Sequence, residues 1–465
     1  MKWTLVWAGV AVAAFHLSHE IAVLSCLVGL YVFSLVQLTR VATPWRALFT
    51  GWLAGLLVFG PQLAFMFDLF GMFGVVLWLV GSFWTGLFVL LGHLAIGRVG
   101  MRGLIFLLPL FFIALEYVRS ELYWLKFSWL APGYTFAGHG QPLFEAYFGV
   151  YGVGFVLVLT AALLASFRPR VGAVIGATLL VTLGALANLV SERPIDPIDQ
   201  REGILVVGIQ MEFPSISETV YALDRAVKEH PDVDLVVLSE YTFKGRPPSE
   251  VLGWCRQHAC YLVAGGKEPV ADRDDAFRNT AFVISPKGDV VFKQAKSVPI
   301  PFFADGLPAD EQRLWNSPWG KIGICICYDL SYTRVVDELV LQGAQLLIVP
   351  TMDVTSWGEH EHWLHAKVAP TRAAEYGIPV VRVCSSGISQ IVTADGHVSE
   401  SLPYPGQGES FAARVQLVGQ ARVPMDRTLA LVGLIATMMF VGVVTGKMVF
   451  RRNTGKSKSP FAPRK

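Results

Sequence analysis

A cysteine, a carboxylate and a lysine of this sequence each stand just past a short apolar run, and together they are chemically sufficient for nucleophilic acyl transfer. Ile324-Cys325-Ile326-Cys327-Tyr328-Asp329 is a β-like run that ends on a thiol, followed by residues unsuited to continuing a buried strand. Leu235-Val236-Val237-Leu238-Ser239-Glu240 ends a second run on a carboxylate, and Val291-Phe292-Lys293-Gln294-Ala295-Lys296 puts a lysine past a third. A thiol needs a base to become a thiolate, and the oxyanion that forms on its acyl adduct needs a positive or N–H donor. Singly, each residue has an ordinary reading: the cysteine as a small buried hydrophobe, Glu240 as a strand cap, Lys296 as a solvated loop charge. Cys325 shares the strand face of Cys327, so alternation alone leaves the choice of nucleophile open.

These groups have to be brought together by the elements that carry them. From Gly203 onward, strands are predicted at 203–210, 234–239, 260–265, 279–285 and 289–293, with helices at 217–229 and 248–257. After a proline-rich loop at 298–308 come strand 321–327, helix 332–342, strand 345–350, helix 361–376 and strand 379–384. Strands apolar on both faces with helices between them predict a layered α/β domain, in which the carboxyl ends of strands carry the chemistry.

The rest of the chain is built for another solvent. Of its 465 residues 53% are hydrophobic, and the mean hydropathy is +0.49, too apolar for an ordinary soluble protein. Crossing a bilayer takes about 20 apolar residues, and such runs occur at 3–19, 21–39, 47–67, 71–93, 103–120, 149–167, 171–189 and 427–449. The first also reads as a signal peptide, with Lys2 ahead of it and Ala11-Val12-Ala13 behind, although apolar sequence resumes at Ile21. Alternate threading puts Lys2, Arg40, Arg46, Arg98, Arg102, Arg168, Arg170 and the tail from Arg451 on one side, predicted to be cytoplasmic. The expected organisation is a membrane domain of about seven transmembrane helices over 1–190, a layered domain over 191–425 on the opposite face, a last transmembrane helix at 426–450 and a basic cytoplasmic tail at 451–465.

Glu116 and Arg119, three residues apart, are expected to pair on one helix face. Trp129, Tyr134 and Tyr151 read either as an interfacial belt or as the lining of a lipid-facing cleft. A net charge of +2, from 38 basic and 36 acidic residues, offers no stripe for nucleic acid. Six cysteines make no disulfide scaffold, and Cys255 with Cys260 is the one plausible pair. Without a CxxC, a His/Cys cluster at zinc spacing or a phosphate-binding glycine loop, neither a metal nor a cofactor is predicted.

Glu240, Lys296 and Cys327, with Asn279-Thr280-Ala281 and Pro286-Lys287-Gly288 before the lysine and Cys327-Tyr328-Asp329 at the thiol, resemble the nitrilase, or carbon–nitrogen hydrolase, superfamily. His365, Arg372-Ala373-Ala374-Glu375, Gly377, Pro379, Ser386-Gly387-Ile388-Ser389 and Asp395-Gly396 extend the likeness. Glu116-Tyr117-Val118-Arg119, Phe127-Ser128-Trp129-Leu130, Pro132-Gly133-Tyr134, Gln141-Pro142-Leu143 and Gly149-Val150-Tyr151-Gly152-Val153 resemble the apolipoprotein N-acyltransferase family. That family inserts a nitrilase domain before the last of its spans. This chain departs from it after the lysine: the position expected to hold glutamate is Ala304, with Asp305 one residue along, and Pro370 precedes Arg372.

The resemblance implies a polytopic α-helical membrane domain joined to a nitrilase-like α-β-β-α sandwich, in a bacterial inner membrane, with the sandwich on the periplasmic face. It implies ping-pong acyl transfer by a chain acting as a monomer without a cofactor. A phospholipid donates its acyl chain to Cys327, and the amine of a diacylglyceryl-cysteine lipoprotein accepts it. Glu240 would be the general base, while Lys296 would stay protonated, lower the thiol pKa and hold the oxyanion. The N–H of Tyr328 would be a second donor, and Asp329 and Asp305 would support the site. The alternative is a membrane-tethered amidase or nitrile hydrolase whose acceptor is water.

Overall fold

The computed structural model describes residues 2–137, 145–167, 176 and 203–453, apart from 272, 274, 275 and 407. The expected span at 171–189, Arg168, Arg170, the Gln141-Pro142-Leu143 motif and the tail beyond Asn453 lie outside the described residues. The chain forms two units: Met1–Thr135 with Phe148–Asn188 and Met425–Lys465, and Phe136–Tyr147 with Leu189–Pro424.

The first unit is helical, with α1 (Lys2–Glu20), α2 (Val28–Leu38), α3 (Pro44–Gln62), α4 (Phe65–Phe70), α5 (Met72–Tyr117), α6 (Glu145–Ser166) and α12 (Asp426–Asn453). Among the described residues three helical stretches are long and apolar enough to cross a membrane, Met72–Leu122, Glu145–Ser166 and Asp426–Lys447, and Ala22–Leu38 is a shorter apolar one. The segments predicted at 71–93 and 103–120 both fall in α5, which breaks at Gly100, where φ is +68°. Small residues let α3 and α5 approach closely: a Cβ on Gly51 would stand 2.8 Å from Val89, and one on Gly55 2.8 Å from the Ser82 carbonyl. Glu116 and Arg119 do pair, at 3.0 Å. Tyr134 and Tyr151 are fully buried in this unit and Trp129 nearly so, so none of the three forms an interfacial belt.

The second unit holds two six-stranded sheets. The first runs β12–β1–β2–β3–β4–β5, from β1 (Ile204–Ile209), β2 (Leu235–Leu238), β3 (Tyr261–Pro269), β4 (Phe277–Ile284), β5 (Val290–Ala295) and β12 (Ser410–Val415). The second runs β11–β10–β9–β8–β7–β6, from β6 (Leu314–Ser317), β7 (Gly320–Ile324), β8 (Leu346–Thr351), β9 (Val380–Cys384), β10 (Ser389–Val392) and β11 (Val398–Leu402). Each sheet has three central parallel strands, β1–β2–β3 and β7–β8–β9, flanked by antiparallel ones. Val207 and Ile209 of β1 pack on α7 (Ile216–Glu229) and α8 (Ser249–His258), while Gly208 faces Val383 of the other sheet. The second sheet packs on α9 (Thr333–Leu341), whose Leu339 meets Gly323 of β7, and on α11 (Val368–Tyr376), which follows α10 (Glu359–Ala366), so the layers run α-β-β-α.

Three local differences from the sequence reading bear on the site. Strand β7 stops at Ile324, where its ladder with β8 ends, so Cys327 lies in a 3₁₀ turn (Cys327–Ser331) rather than on the strand. The helix predicted at 361–376 is two helices, and Pro370 sits in the first turn of α11, where a missing N–H costs little. All six cysteines are free, Cys255 and Cys260 included.

Gly265 of β3 is where backbone passes under Glu240: a Cβ there would stand 2.6 Å from Glu240 Cα and 2.7 Å from Tyr241 N. Gly265→Ala is therefore expected to destabilise the protein by about 1–3 kcal/mol, as overpacking does. Gly253→Ala in α8, whose nearest neighbour is a side-chain atom at 3.8 Å, is expected to be neutral or stabilising. Thermal melts of the detergent-solubilised protein measure both.

Candidate active site

Strand ends of both sheets converge on one buried cluster. Glu240 stands two residues past β2, Lys296 one past β5 and Cys327 three past β7, and the three are at most 2% exposed. Tyr241 and Cys327 both take positive φ, +54° and +52°. Such backbone is costly for non-glycine residues, and here it turns Cys327 out of the strand direction.

Lys296 is the hub. Its Nζ lies 2.9 Å from Glu240 Oε1 and 2.8 Å from Asp305 Oδ2. Asn279 of β4 donates its amide to both carboxylates, and Asp305 also accepts from the Tyr241 hydroxyl at 2.8 Å and the Ile300 N–H at 2.9 Å. Asp305 thus reaches the lysine although Ala304 holds the position where the family carries glutamate. The other oxygen of Glu240 accepts the Met352 N–H at 2.7 Å, and the Met352 carbonyl faces the Cys327 thiol at 3.8 Å. The backbone of one residue, Met352, therefore touches both the carboxylate, through its N–H, and the thiol, through its carbonyl.

Burial and charge divide the protons. Burial would strip the Lys296 ammonium, but Glu240, Cys327 and Asp305 outweigh it and hold the pKa well above the lysine range. Burial pushes the Glu240 carboxyl up against the opposing pull of Lys296, whereas Asp305 is held below its usual range because Lys296 outweighs its burial. Two carboxylates on one ammonium are thus set apart, Glu240 as the better proton acceptor and Asp305 as the lasting anion. The Cys327 thiol is pushed well above its usual range by burial and then by Glu240, with Lys296 opposing both. Lys296 favours the thiolate, but burial and Glu240 outweigh it.

Transfer of the thiol proton to Glu240 leaves the net charge of the cluster unchanged. Burial opposes a new net charge far more than an internal shift of a proton.

Asp329 and Arg372 fix the turn that carries the thiol. The Asp329 carboxylate accepts the N–H groups of Ile326 (3.1 Å), Ser297 (3.0 Å) and Val298 (2.7 Å), tying the Cys327 turn to the segment after Lys296. Burial raises its pKa to about 6. Arg372 donates to the carbonyls of Leu330 (3.1 Å) and Ser331 (2.7 Å) and pairs with Glu375. Tyr328 follows in the same turn, its ring edge-on to Tyr332 at 4.9 Å.

A second buried cluster, to which the sequence reading gave no role, adjoins the thiol. Asp353 binds Arg382 at 2.5 Å and the His365 Nδ1 at 2.8 Å. Its carbonyl accepts from Ser385 Oγ at 2.9 Å, which holds the segment containing Met352. Burial lowers the His365 pKa to about 4, whereas Asp353 stays well below the carboxylate range because His365 and Arg382 outweigh its burial. Arg382 left a signal in the sequence, a lone charge inside Val380-Val381-Arg382-Val383-Cys384, since such a charge is almost never buried unpaired.

The two-sheet sandwich and this cluster define a carbon–nitrogen hydrolase domain. Residues 214–422 match the carbon-nitrogen hydrolase family and residues 7–163 the apolipoprotein N-acyltransferase N-terminal domain. The chain is 25% identical to an apolipoprotein N-acyltransferase of Geobacter metallireducens over 365 residues, 66% of this chain and 69% of that one. It is 30% identical to a deaminated glutathione amidase of Dictyostelium discoideum over 171 residues, 32% of this chain and 58% of that one. Among solved structures, Saccharomyces cerevisiae Nit3 of the nitrilase superfamily aligns with 45% of this chain and 90% of its own at 21% identity and a TM-score of 0.38. With an acyltransferase membrane domain joined to a hydrolase domain in one sequence, the chain belongs to the apolipoprotein N-acyltransferase family.

Removing the ammonium leaves two buried carboxylates facing each other. Lys296→Met is expected to lower stability by about 3–5 kcal/mol, the cost of breaking a buried ion pair from one side. Adding Asp305→Asn should recover more than half of the loss. Melting of the single and double variants measures both.

Proposed function

We propose that this protein is a membrane N-acyltransferase that moves an acyl chain from a phospholipid through a Cys327 thioester to the terminal amine of a diacylglyceryl-cysteine lipoprotein. The observation that carries this reading is the joining of the family's membrane domain to a hydrolase site in one chain. Large apolar side chains exposed on the hydrolase unit suit a lipid substrate: Phe302 and Phe303, in the segment after Lys296, and Trp363.

In the first half-reaction Glu240 takes the thiol proton and the thiolate attacks the ester carbonyl. Lys296 and the Tyr328 N–H stabilise the oxyanion. The C–S bond forms, the ester C–O bond breaks, and Glu240 returns its proton to the departing lysophospholipid hydroxyl. In the second, the lipoprotein amine attacks the thioester and a C–N bond replaces C–S. The amine proton passes to Glu240 and on to the released thiolate.

Both reactants would be anchored in one leaflet, so holding the site at the bilayer reduces the search to two dimensions and pre-orients them. The basic loops support about eight spans with the hydrolase domain on the side opposite the cytoplasm; the same proposal puts the protein in a bacterial inner membrane, facing the periplasm, as a monomer.

Cys327→Ala is expected to abolish both acyl-thioester formation from phospholipid and turnover, and Cys325→Ala to keep substantial activity, read by mass spectrometry of the protein after incubation with phospholipid. Glu240→Gln should slow thioester formation by about 10²-fold or more. A thioester that water discharges but an amine does not would favour the tethered amidase. For topology, a reporter in the 298–308 loop should read as exported and one after Arg452 as cytoplasmic; the reverse would remove access to periplasmic lipoproteins.

A further inference from the structure

The Cys327 thiol has chemistry on a second side. Its Sγ, a carboxylate oxygen of Asp353 and a ring nitrogen of His365 lie within 4.8 Å of one another, all three residues buried. Thiolate, carboxylate and imidazole are the ligands that Zn²⁺ prefers, at about 2.0–2.3 Å, which sets tetrahedral ligands about 3.3–3.8 Å apart. Closing on an ion from 4.8 Å therefore asks for a shift of about 1 Å. The Met352 carbonyl, 3.8 Å from the same sulfur, is already at the spacing of a fourth ligand.

The three donors come from separate, firmly held places: the turn after β7, the segment after β8, and α10. Asp353 is fixed by Arg382 and its backbone by Ser385, the kind of outer support that orients metal ligands. Binding exchanges the thiol proton, released to solvent, for the ion. Asp353 is also faced by Arg382 and His362, with Glu361 beside His362.

We propose that Cys327, Asp353 and His365 form an inhibitory site for a soft divalent cation, Zn²⁺ being the probe, that reversibly masks the thiol. The sulfur gives up its proton and bonds to the metal. The His365 nitrogen that ligates does so without a proton, the ring proton standing on the other nitrogen. An ion held there blocks the nucleophile, so the site serves to silence the enzyme rather than to seat a resident cofactor. That consequence rests on the acyl-transfer reading; the binding does not.

A competing seat shares one ligand. Asp353, Glu361 and His362 also lie within 4.8 Å of one another, a set of donors that does not include the thiol. An ion bound there would leave the sulfur reactive.

The test uses the full chain in detergent on a Cys325→Ala background, following iodoacetamide alkylation of Cys327 by peptide mass spectrometry. Stoichiometric Zn²⁺ is expected to slow alkylation at least tenfold, with recovery on adding a chelator. Co²⁺ in its place should give a thiolate-to-metal charge-transfer band. Both effects should vanish in His365→Gln and persist in Glu361→Gln. Unchanged alkylation with Zn²⁺, equal protection in His365→Gln, or loss of protection in Glu361→Gln would each overturn the proposal. Where His365→Gln does not fold, the wild-type Co²⁺ spectrum decides, since absence of the band alone refutes ligation by sulfur. Failure of acyl-thioester formation on Cys327 would refute the catalytic reading without altering these outcomes.

Discussion

The arrangement depends on one buried ammonium. Lys296 is fully enclosed, and an ammonium without partners in such a place would lose its proton. Glu240 and Asp305 keep it charged, and Asn279 bridges the two carboxylates behind it. The same interaction sets the two acids apart. Because the net charge of the cluster is fixed, a proton can move within it at low cost while a proton entering from solvent meets the full burial penalty. The fold accordingly brings two sheets together before any chemistry is available: Glu240 and Lys296 come from the first and Cys327 from the second.

The backbone around the thiol is as constrained as the charges. Asp329 gathers N–H groups from both the Cys327 turn and the segment after Lys296, and Arg372 holds the far end of the turn from α11. These residues belong to motifs that in sequence look like part of the reaction, but they hold the turn through its carbonyls and amides, with Glu375 pairing Arg372. They position the thiol. The Met352 backbone has the opposite history: no side-chain pattern marks it, yet its N–H meets Glu240 and its carbonyl faces Cys327.

What was legible in the sequence follows from period and sign. Apolar runs ending on Glu240, Lys296 and Cys327 marked where strands stop, and β1 to β5 and β7 to β9 occur close to their expected places. Strands β6 and β10 to β12 were not read, because they are short or carry exposed polar residues and so lack the continuous apolar run of the central strands. The choice between Cys325 and Cys327 also had no local signal. It is made by the ladder: the Cys325 N–H still reaches Ile348 of β8 at 3.2 Å, whereas Cys327 has already turned away. The burial that outweighs Lys296 at the thiol had no signal for a related reason, since desolvation depends on how much of the molecule covers a group, and no spacing rule reports that.

The pairing of β1 with β12 joins the two ends of the hydrolase unit: Ile204 lies opposite Val415 and Ile209 opposite Ser410. The first sheet is therefore unfinished until more than 200 further residues have been made. Throughout that interval β1 presents an unpaired edge, and the first sheet waits on one late closure. For a chain that also threads helices into a bilayer, vectorial synthesis thus delivers the strand that completes the first sheet last. Completion of that sheet is governed by the emergence of one short C-terminal strand, and a ribosome pausing before residue 410 would leave the polar domain open and prone to association along that edge.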